Sequence, residues 1–282
     1  MTLPSKPMSL PLSQLLTTFE SLWPISGAEE WDRPGLATGR LDQQISKVLL
    51  TVDVTREVLI EARSLGCELI VSHHPLLLKG VSFLAEDQLK GELVTFAVKN
   101  SIALYSAHTN ADIVSGGVSD VLARALGLIA SVPLVPTGPG IGHGRIGKLQ
   151  TAQKLSTFAE FVAAQLPKTK VPIRFAGDED QIVETVAVVG GAGDSFIPAA
   201  SDSGAQVLVT SDLRHHVTLD AISDPSAPLA LIDISHFAAE SLWLEPTRKV
   251  LAETIPQVSF TVSQVSTDPW TMTVSRKSNS ES

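Results

Sequence analysis

Four histidines of the sequence follow apolar, strand-like runs, and two of them are followed four residues later by a carboxylate. In chain order these residues are His73 and His74 in CELIVSHHP, His108 and Asp112 in SIALYSAHTNAD, and His236 and Glu240 in ALIDISHFAAE. Imidazole nitrogens and carboxylate oxygens are ligands that zinc, iron, manganese and nickel accept in proteins. Ordinary hydrogen-bonded polar residues would have no reason to gather at three separate strand ends. The pattern therefore predicts a metal site made of these six side chains.

The neighbouring pair His73 and His74 indicates more than one ion. Successive side chains of an extended strand point to opposite sides, so both imidazoles reach one ion only if the backbone turns, which Pro75 would help it do. Two divalent cations, each bound by one member of the pair, fit this geometry better. Asp112 or Glu240 would then bridge them at the ~3.5–4 Å spacing of two-metal sites. The residue types leave the metal open among zinc, iron, manganese and nickel.

The residues around these motifs alternate between strand-like and helix-like patterns. KVLLTVDV is an apolar, β-branched run, TREVLIEARSLG has helical spacing and ends in Gly66, and CELIVS is the next strand-like run. This β-α-β order predicts an α/β fold with a largely parallel sheet. Open α/β sheets bind ligands at the carboxyl ends of their strands, which is where the histidines are expected.

The second half of the sequence repeats this pattern. Residues 48–74, moved forward by 138 positions, align without gaps with residues 186–212, and apolar strand positions fall on apolar strand positions. The alternative interpretation is that any two β-α-β units share such a likeness. We expect two similar α/β lobes with mixed, largely parallel sheets, related by a pseudo-twofold axis, and a metal site in the cleft between them.

The expected domains are an N-terminal lobe of residues 1–132 and a C-terminal lobe of residues 133–274. The Pro- and Gly-rich stretch SVPLVPTGPGIGHGRIGKL would connect them. In the second lobe, a last strand and helix at about residues 229–250 would return ligands to the shared site. The polar tail, residues 275–282, is expected to be disordered.

Composition disfavours several classes of protein. The 282 residues include 21 basic and 30 acidic ones, for a net charge of −9, and no basic patch stands out, so nucleic-acid binding is not expected. No stretch reaches the ~20 apolar residues of a transmembrane helix. The single cysteine, Cys67, excludes an intrachain disulfide and suits a reducing compartment. These features favour a cytoplasmic protein with a small-molecule substrate.

Five motifs together resemble one known family. SHHP, HTNAD and DISHFAAE, with WDRPGLATG near the start and GHGRIGKL in the middle, are similar to the GTP cyclohydrolase 1 type 2 homolog family, also called the NIF-three-like dinuclear metal proteins. The likeness covers nearly the whole chain in the same order. It implies that the six side chains hold two divalent cations, with Glu240 shared between them. It also implies the short form of the family, without an inserted domain between the lobes, and a toroidal homohexamer.

Two further residues are candidates for proton transfer. The family often has Thr-Gly-Asp where this chain has Thr210, Ser211 and Asp212, and His216 stands where a histidine is common. Asp212 and His216 would line the same cleft as catalytic groups, or would only pack and form hydrogen bonds. The segment GGAGDSF, residues 190–196, would either bind an anion or form a tight strand-to-helix turn.

The predicted site suits hydrolysis. Two cations lower the pKa of a coordinated water and stabilise charge in the transition state. The family name implies opening of the guanine ring of GTP, and hydrolysis of another nucleotide or phosphoester is the neighbouring hypothesis, because no feature of the sequence recognises guanine. The alternative is a non-catalytic metal-binding or regulatory assembly protein. The lack of sulfur ligands favours retained metal, and therefore an enzyme.

Overall fold

The computed structural model of the chain describes residues 8–224 and 229–274. Its strands are β1 Leu10–Pro11, β2 Gly35–Thr38, β3 Gln44–Ile45, β4 Lys47–Thr51, β5 Leu69–Ser72, β6 Ala103–Ser106, β7 Ile129–Val132, β8 Val135–Gly138, β9 Ile141–His143, β10 Arg145–Lys154, β11 Arg174–Ala176, β12 Ile182–Ala192, β13 Val207–Ser211, β14 Ala230–Ile234 and β15 Ser259–Val262. Its α-helices are α1 Leu12–Leu22, α2 Arg56–Leu65, α3 Leu89–Lys99, α4 Thr109–Asp112, α5 Val118–Ala125, α6 Leu155–Gln165, α7 Ile197–Asp202, α8 His215–Ser223, α9 His236–Ser241 and α10 Leu244–Thr254. None of these helices is long and apolar enough to cross a membrane. The predicted disordered tail, residues 275–282, lies outside the described residues.

The first sheet has five strands in the spatial order β15, β4, β5, β6 and β2. Four of them run parallel, and β2 pairs antiparallel with β6 at one edge. Between β4 and β5 the chain forms α2, whose first turn is capped by the hydroxyl of Thr55. The helix ends at Gly66, whose φ of +69° is a left-handed conformation that glycine adopts without a Cβ clash. This tight ending returns the chain to β5 and so to the histidine pair.

The second sheet has six strands in the spatial order β11, β14, β13, β12, β10 and β7. Its middle strands β12, β13 and β14 run parallel, whereas β11, β10 and β7 pair antiparallel with their neighbours. Both sheets are therefore mixed around a parallel centre. The predicted α/β fold with two lobes is confirmed.

The two sheets have the same strand register at their centres. Val48 pairs with Leu69 in the first sheet, and Val186 pairs with Val207 in the second. Both members of the pair are thus shifted by the 138 positions of the sequence repeat. The parallel strands β4 and β5 therefore correspond to β12 and β13, residue for residue, which favours a true repeat over a chance likeness of two β-α-β units.

Helices cover both faces of each sheet. In β4, Val48 and Leu50 pack with residues of α1 and α10, whereas Leu49 packs with residues of α2 and α3. In β12, Val186 packs with α5 and α6, whereas Ala187 packs with α7 and α8. This alternation follows from the opposite directions of successive strand side chains, and it leaves the parallel strands buried on both faces.

Helices α5 and α9 join the two lobes. On α5, Val121 belongs to the apolar core of the first sheet and Leu122 to that of the second. Ala239 of α9 packs in the core of the second sheet, and Trp243, which follows α9, packs in the core of the first. These contacts hold α9 between the lobes, where it carries Glu240.

The sheets exchange strands across the predicted lobe boundary. Strand β7, which precedes residue 133, pairs with β10 of the second sheet, and β15, near the C-terminal end, pairs with β4 of the first. The division into domains of residues 1–132 and 133–274 stays a prediction. Because β15 pairs with β4, the segment after it begins at the edge of the first sheet.

Candidate metal centre

The first three predicted histidines lie at the carboxyl ends of β5 and β6. The backbone N–H groups of His73 and His74 donate hydrogen bonds to the carbonyls of Thr51 (3.0 Å) and Val52 (2.9 Å). These bonds continue the pairing of β4 and β5 for two residues, so both imidazoles leave an ordered, strand-like backbone. Their ring centroids are 5.0 Å apart, and the ring centroid of His108 is 5.3 Å from each of them. The three rings therefore meet at one edge of the first sheet.

The other predicted ligands lie on two short helices. Helix α4 ends with Asp112, four residues after the third histidine. Helix α9 begins with His236, and the hydroxyl of Ser235 accepts a hydrogen bond from its first turn (3.2 Å). Residues four apart share one helix face, and His236 Nε2 accordingly lies 2.8 Å from Glu240 Oε1.

In each of the four imidazoles of the site, Nδ1 forms a hydrogen bond with an oxygen atom. The Nδ1 atoms of His73, His74, His108 and His236 lie 2.9, 2.8, 2.9 and 2.7 Å from Ala107 O, Asp53 Oδ1, Asp32 Oδ1 and Asp212 Oδ2, respectively. A carbonyl or carboxylate oxygen only accepts, so each Nδ1 carries a proton and donates it. In the neutral ring the lone pair then lies on Nε2, which is free for another partner. Metal-binding histidines are oriented in this way.

Three of the Nε2 atoms face the buried carboxylate of Glu240. Its Oε1 atom lies 2.8 Å from His236 Nε2 and 3.4 Å from His73 Nε2, and its Oε2 atom lies 3.2 Å from His74 Nε2. His73 Nε2 is also 3.6 Å from Asp112 Oδ1. Glu240 thus contacts histidines from both lobes with different oxygen atoms.

The candidate ligand atoms form two overlapping groups. One group contains nitrogen atoms of His73, His74 and His108, and the other contains atoms of His74, His236 and Glu240; within each group all atoms lie within 4.8 Å of one another. Three protein ligands of these types are enough to hold a cation such as zinc. Because the groups share His74, they are parts of one site rather than two distant ones.

Two buried carboxylate oxygens of the site have no hydrogen bond. Within the described residues, Glu240 Oε2 and Asp112 Oδ1 are shielded from solvent and lack a hydrogen-bond partner. Such a buried, charged oxygen is costly unless a donor or a cation compensates it. Together with the imidazoles, these oxygens make a mixed nitrogen and oxygen ligand set that suits zinc, iron or manganese. The residues therefore fit bound divalent cations.

The charges of the site shift the protonation of its groups. Burial lowers the pKa of His74, but Glu240 and Asp53 raise it more strongly, to about 11. Burial also lowers the pKa of His236, but Glu240 and Asp212 raise it more strongly, to about 9. Burial raises the pKa of Glu240, yet the neighbouring histidines hold it well below its usual value. Burial also raises the pKa of Asp112. In the absence of a cation, both ring nitrogens of His74 and of His236 are therefore protonated at neutral pH, and the two rings are positively charged.

Asp53 and Asp32 orient two of the histidines. Asp53, which binds His74, lies two residues beyond β4 and is the functional residue that the sequence patterns missed. A signal was present, because β4 runs parallel to β5 and a polar residue after β4 reaches the same sheet edge. Asp32 is 3% exposed and accepts hydrogen bonds from His108 Nδ1 (2.9 Å) and Thr109 Oγ1 (2.6 Å). Burial raises the pKa of Asp32, but the hydrogen bond with His108 and its other contacts lower it to about 2.

The two predicted proton-transfer residues have different surroundings. Asp212 accepts the hydrogen bond of His236 Nδ1 and has a left-handed φ of +60°. His216 lies on α8, is exposed and contacts the ring of His215. It is absent from the described residues that line the cavity beside the site. Asp212 thus has the position of an orienting partner, and a catalytic role of either residue stays a prediction.

The segment GGAGDSF brings a glycine against the site. Residues 190–192 end β12, and the chain then turns through a short 3-10 helix, Asp194–Phe196, into α7. A Cβ atom at Gly191, whose φ is +76°, would lie 2.7 Å from Glu240 Oε1 and 3.4 Å from His236 Nε2. The segment therefore forms the predicted strand-to-helix turn, and its glycine lets the backbone approach the carboxylate.

A cavity of about 1400 Å³ lies beside His74 and His236. Its lining comes from His74 and from the segments 52–57, 89–90, 92–93, 170–172, 174, 212–213, 233–237, 267–270 and 272–274. These segments belong to both lobes and to the chain after β15. One side of the candidate metal centre is therefore accessible to a ligand from this cavity.

The chain is similar to several known proteins over most of its length. A relative from Streptomyces coelicolor, named GTP cyclohydrolase 1 type 2 homolog, is 41% identical over 268 residues, which cover 92% of this chain and 93% of the relative. A relative of the same name from Clostridium perfringens is 33% identical and covers 92% of this chain and 98% of its own length. A solved Bacillus cereus protein described as related to NIF3 superposes with a TM-score of 0.88 at 27% identity, covering 95% of this chain and all of the other, 100%.

The family model of Duf34/NIF3 (NGG1p interacting factor 3) matches residues 10–269. This range includes every predicted ligand and both sheets. It ends inside the segment that follows β15, next to the cavity. The chain therefore belongs to the Duf34/NIF3 family.

Proposed function

We propose that the chain holds two divalent cations and acts as a metal-dependent hydrolase on a nucleotide or a related small molecule. The observation that carries the proposal is the carboxylate of Glu240, which is buried among three imidazoles and has an oxygen without a hydrogen bond. The relatives named GTP cyclohydrolase 1 type 2 homolog support the choice of a nucleotide.

Two sets of residues would hold the cations. His73, His108 and Asp112 would bind one cation, and His74 and His236 would bind the other. Glu240 would be shared, since its Oε1 faces His73 and His236 and its Oε2 faces His74. Asp32, Asp53, Asp212 and the carbonyl of Ala107 would keep the rings in place by accepting the Nδ1 protons.

When bound, such cations supply Lewis acidity, lower the pKa of a coordinated water toward neutrality and stabilise negative charge in the transition state. The chain's own contribution is to fix the ligands before the substrate arrives. Three of the six side chains lie on helices, and the other three follow β5 or β6 within two residues. A substrate in the adjacent cavity would meet the site on the side of His74 and His236.

Two lysines of the cavity lining are free to bind an anionic group of a substrate. Its lining carboxylates are all engaged, in the pairs Asp53–His74, Glu57–Thr55, Glu92–Arg56, Asp212–His236, Asp233–Arg174 and Asp268–Ser235. Among the described residues, the ammonium groups of Lys90 and Lys170 have no ion pair or hydrogen bond. Trp270 also lines the cavity and is 65% exposed. Two uncommitted cations and an open indole suit a phosphorylated molecule with a planar ring.

Metal content tests the first part of the proposal. Protein purified without chelator or added metal should contain about two ions per chain when measured by mass spectrometry, and His108→Ala should lower that number. His215→Ala is the matched control, because His215 is exposed on α8 outside the site. Absence of metal, even after supply of zinc, iron and manganese, would refute the metal centre.

A nucleotide screen tests the second part. The metal-loaded protein should convert at least one nucleoside phosphate. Chromatography of the products would detect the conversion. Lys170→Ala and Lys90→Ala should raise KM for that substrate, whereas Lys79→Ala, outside the cavity lining, should not. Retention of two ions without turnover of any phosphorylated compound would reject the hydrolase.

A non-catalytic metal-binding or regulatory assembly protein is the second candidate. One observation favours it: Asp212 is engaged with His236, and His216 is not among the described residues of the cavity lining. A protein that only retains metal needs no further group for proton transfer. Stoichiometric metal binding together with a negative nucleotide screen would support this candidate.

Assembly and location complete the proposal. By resemblance we propose a homohexamer, and from the composition a cytoplasmic location. Light scattering after gel filtration should then give a mass six times the 29.9 kDa of the chain. A monomer mass would contradict the hexamer and leave the metal centre, which lies within one chain, unaffected.

A further inference from the structure

The segment after β15 passes from the first lobe to the second. The backbone N–H of Ser263 donates to Leu50 O of the first sheet (2.8 Å). Further along, the hydroxyl of Thr273 donates a hydrogen bond to Lys170 O, which lies ahead of β11 of the second sheet. We call residues 264–274 the C-terminal strap. It contains no helix or strand, and two of the contacts between these ends reach the metal site.

The first of these contacts reaches the His74 side of the site. The hydroxyl of Thr267 donates a hydrogen bond to Asp53 Oδ2 (2.5 Å). The other oxygen of the same carboxylate accepts the Nδ1 proton of His74 (2.8 Å). With one oxygen fixed by each partner, the carboxylate cannot rotate without breaking one of the two hydrogen bonds. Thr267 therefore restrains the orientation of His74 through Asp53.

The second contact reaches the other side of the site. The hydroxyl of Ser235 donates a hydrogen bond to Asp268 Oδ2 (2.9 Å) and accepts one from the backbone N–H of Ala238 (3.2 Å). Because the hydroxyl proton of Ser235 points to Asp268, the lone pairs of its oxygen face α9 and accept the capping hydrogen bond of that helix. That helix carries His236 and Glu240.

We propose that Thr267 and Asp268 are positioning residues that hold the two arms of the metal site, His74 from the first lobe and α9 from the second, in register with each other. Adjacent residues of one segment contact the support of each arm, so the strap acts as a link of fixed length between them. The inference rests on the proposed metal centre. Because it supports His74 and His236, the strap would act mainly on the cation of these two histidines and, through the shared Glu240, less on the cation of His73, His108 and Asp112.

Metal affinity and coordination geometry test this role. Thr267→Val and Asp268→Ala should each weaken the binding of one of the two ions by about 10-fold, the lower end for changes behind metal ligands, and leave the other ion bound. Zinc affinity would be measured by competition with a chromophoric chelator, and the absorption spectrum of the cobalt-loaded protein would report on the geometry. Thr267→Ser and Asp268→Asn keep a donor and an acceptor, respectively, and should restore most of the affinity.

The controls separate positioning from folding. Thr271→Val changes a strap residue whose side chain has no hydrogen bond among the described residues, and it should leave both affinities and the cobalt spectrum unchanged. Metal-free unfolding curves of all variants would identify a general loss of stability. Two tightly bound ions in Thr267→Val and Asp268→Ala, with wild-type spectra, would refute the role of the strap. This result would leave the proposed metal centre standing. A wild-type protein without bound ions would instead refute the metal centre and the inference with it.

Discussion

His236 Nε2 lies 2.8 Å from Glu240 Oε1, one helical turn away on α9, while Glu240 Oε2 faces His74 at 3.2 Å. One carboxylate therefore connects ligands that two different sheets deliver. We predict that Glu240→Gln lowers the content of both ions, because an amide offers only one oxygen and no charge. Metal analysis after dialysis measures the effect.

Glu245→Gln is the matched control for that change. Glu245 is on α10, half exposed, and paired with Arg248, so its substitution should leave both ions bound. Loss of only one ion in Glu240→Gln would limit Glu240 to a terminal ligand. Retention of both would remove it from the ligand set.

Gly191→Ala should damage the metal site more than the fold. The new Cβ would lie 2.7 Å from Glu240 Oε1, so the carboxylate or the strand must move. Gly204→Ala is the control, because Gly204 has nearly the same φ, +77° against +76°, and nothing within 4 Å of the added atom. Both changes should cost about 1 kcal/mol of unfolding free energy from the left-handed backbone, measured in urea. Only Gly191→Ala should also lower metal content, and equal metal content in both variants would contradict the close approach.

Metal binding should release protons. His74, with a pKa of about 11, and His236, with a pKa of about 9, are protonated at pH 7 before a cation arrives. A cation at Nε2 must displace these protons, so metal affinity should rise from pH 6 to pH 8 and fall on acidification. Calorimetric titrations in two buffers of different ionisation enthalpy count the protons. A heat that is independent of the buffer would show that the histidines were already neutral.

Cys67 should be a silent thiol in the folded protein. Its side chain is 5% exposed, and burial raises its pKa to about 11, so the reactive thiolate is scarce at pH 8. A chromogenic disulfide reagent should react slowly with the native protein and rapidly in denaturant. Since this is the single cysteine of the chain, the reaction reports directly on opening of the first lobe. Fast reaction under native conditions would mean that the region around α2 opens readily.

The strand ends explain why a sequence pattern pointed to six side chains that the structure brings together. His73, His108 and His236 each follow a buried apolar run, and parallel strands bring such positions to one edge. Asp53 was missed because its own segment contains no histidine. Its partner His74 is 21 positions away, and only the pairing of β4 with β5 brings the two together.

The C-terminal part of the chain was harder to predict for a related reason. Strand β15 pairs with β4, more than 200 positions earlier, and no local pattern indicates such a contact. The strap lacks a regular period because its residues bind through single hydrogen bonds from Thr267 and Asp268 rather than through a repeated apolar face. For His216 the resemblance led to the expectation of a residue in the cleft, but the structure places its side chain exposed on α8.

The order in which these parts leave the ribosome has a consequence for biogenesis. His73, His74 and His108 are synthesised early, but α9, β15 and the strap come last, and β15 must still insert beside β4. Until α9 has been synthesised, the cluster therefore lacks both His236 and Glu240. A chain that ended before residue 236 would accordingly keep the three imidazoles of the first sheet but would lack the helix that joins them to the second one.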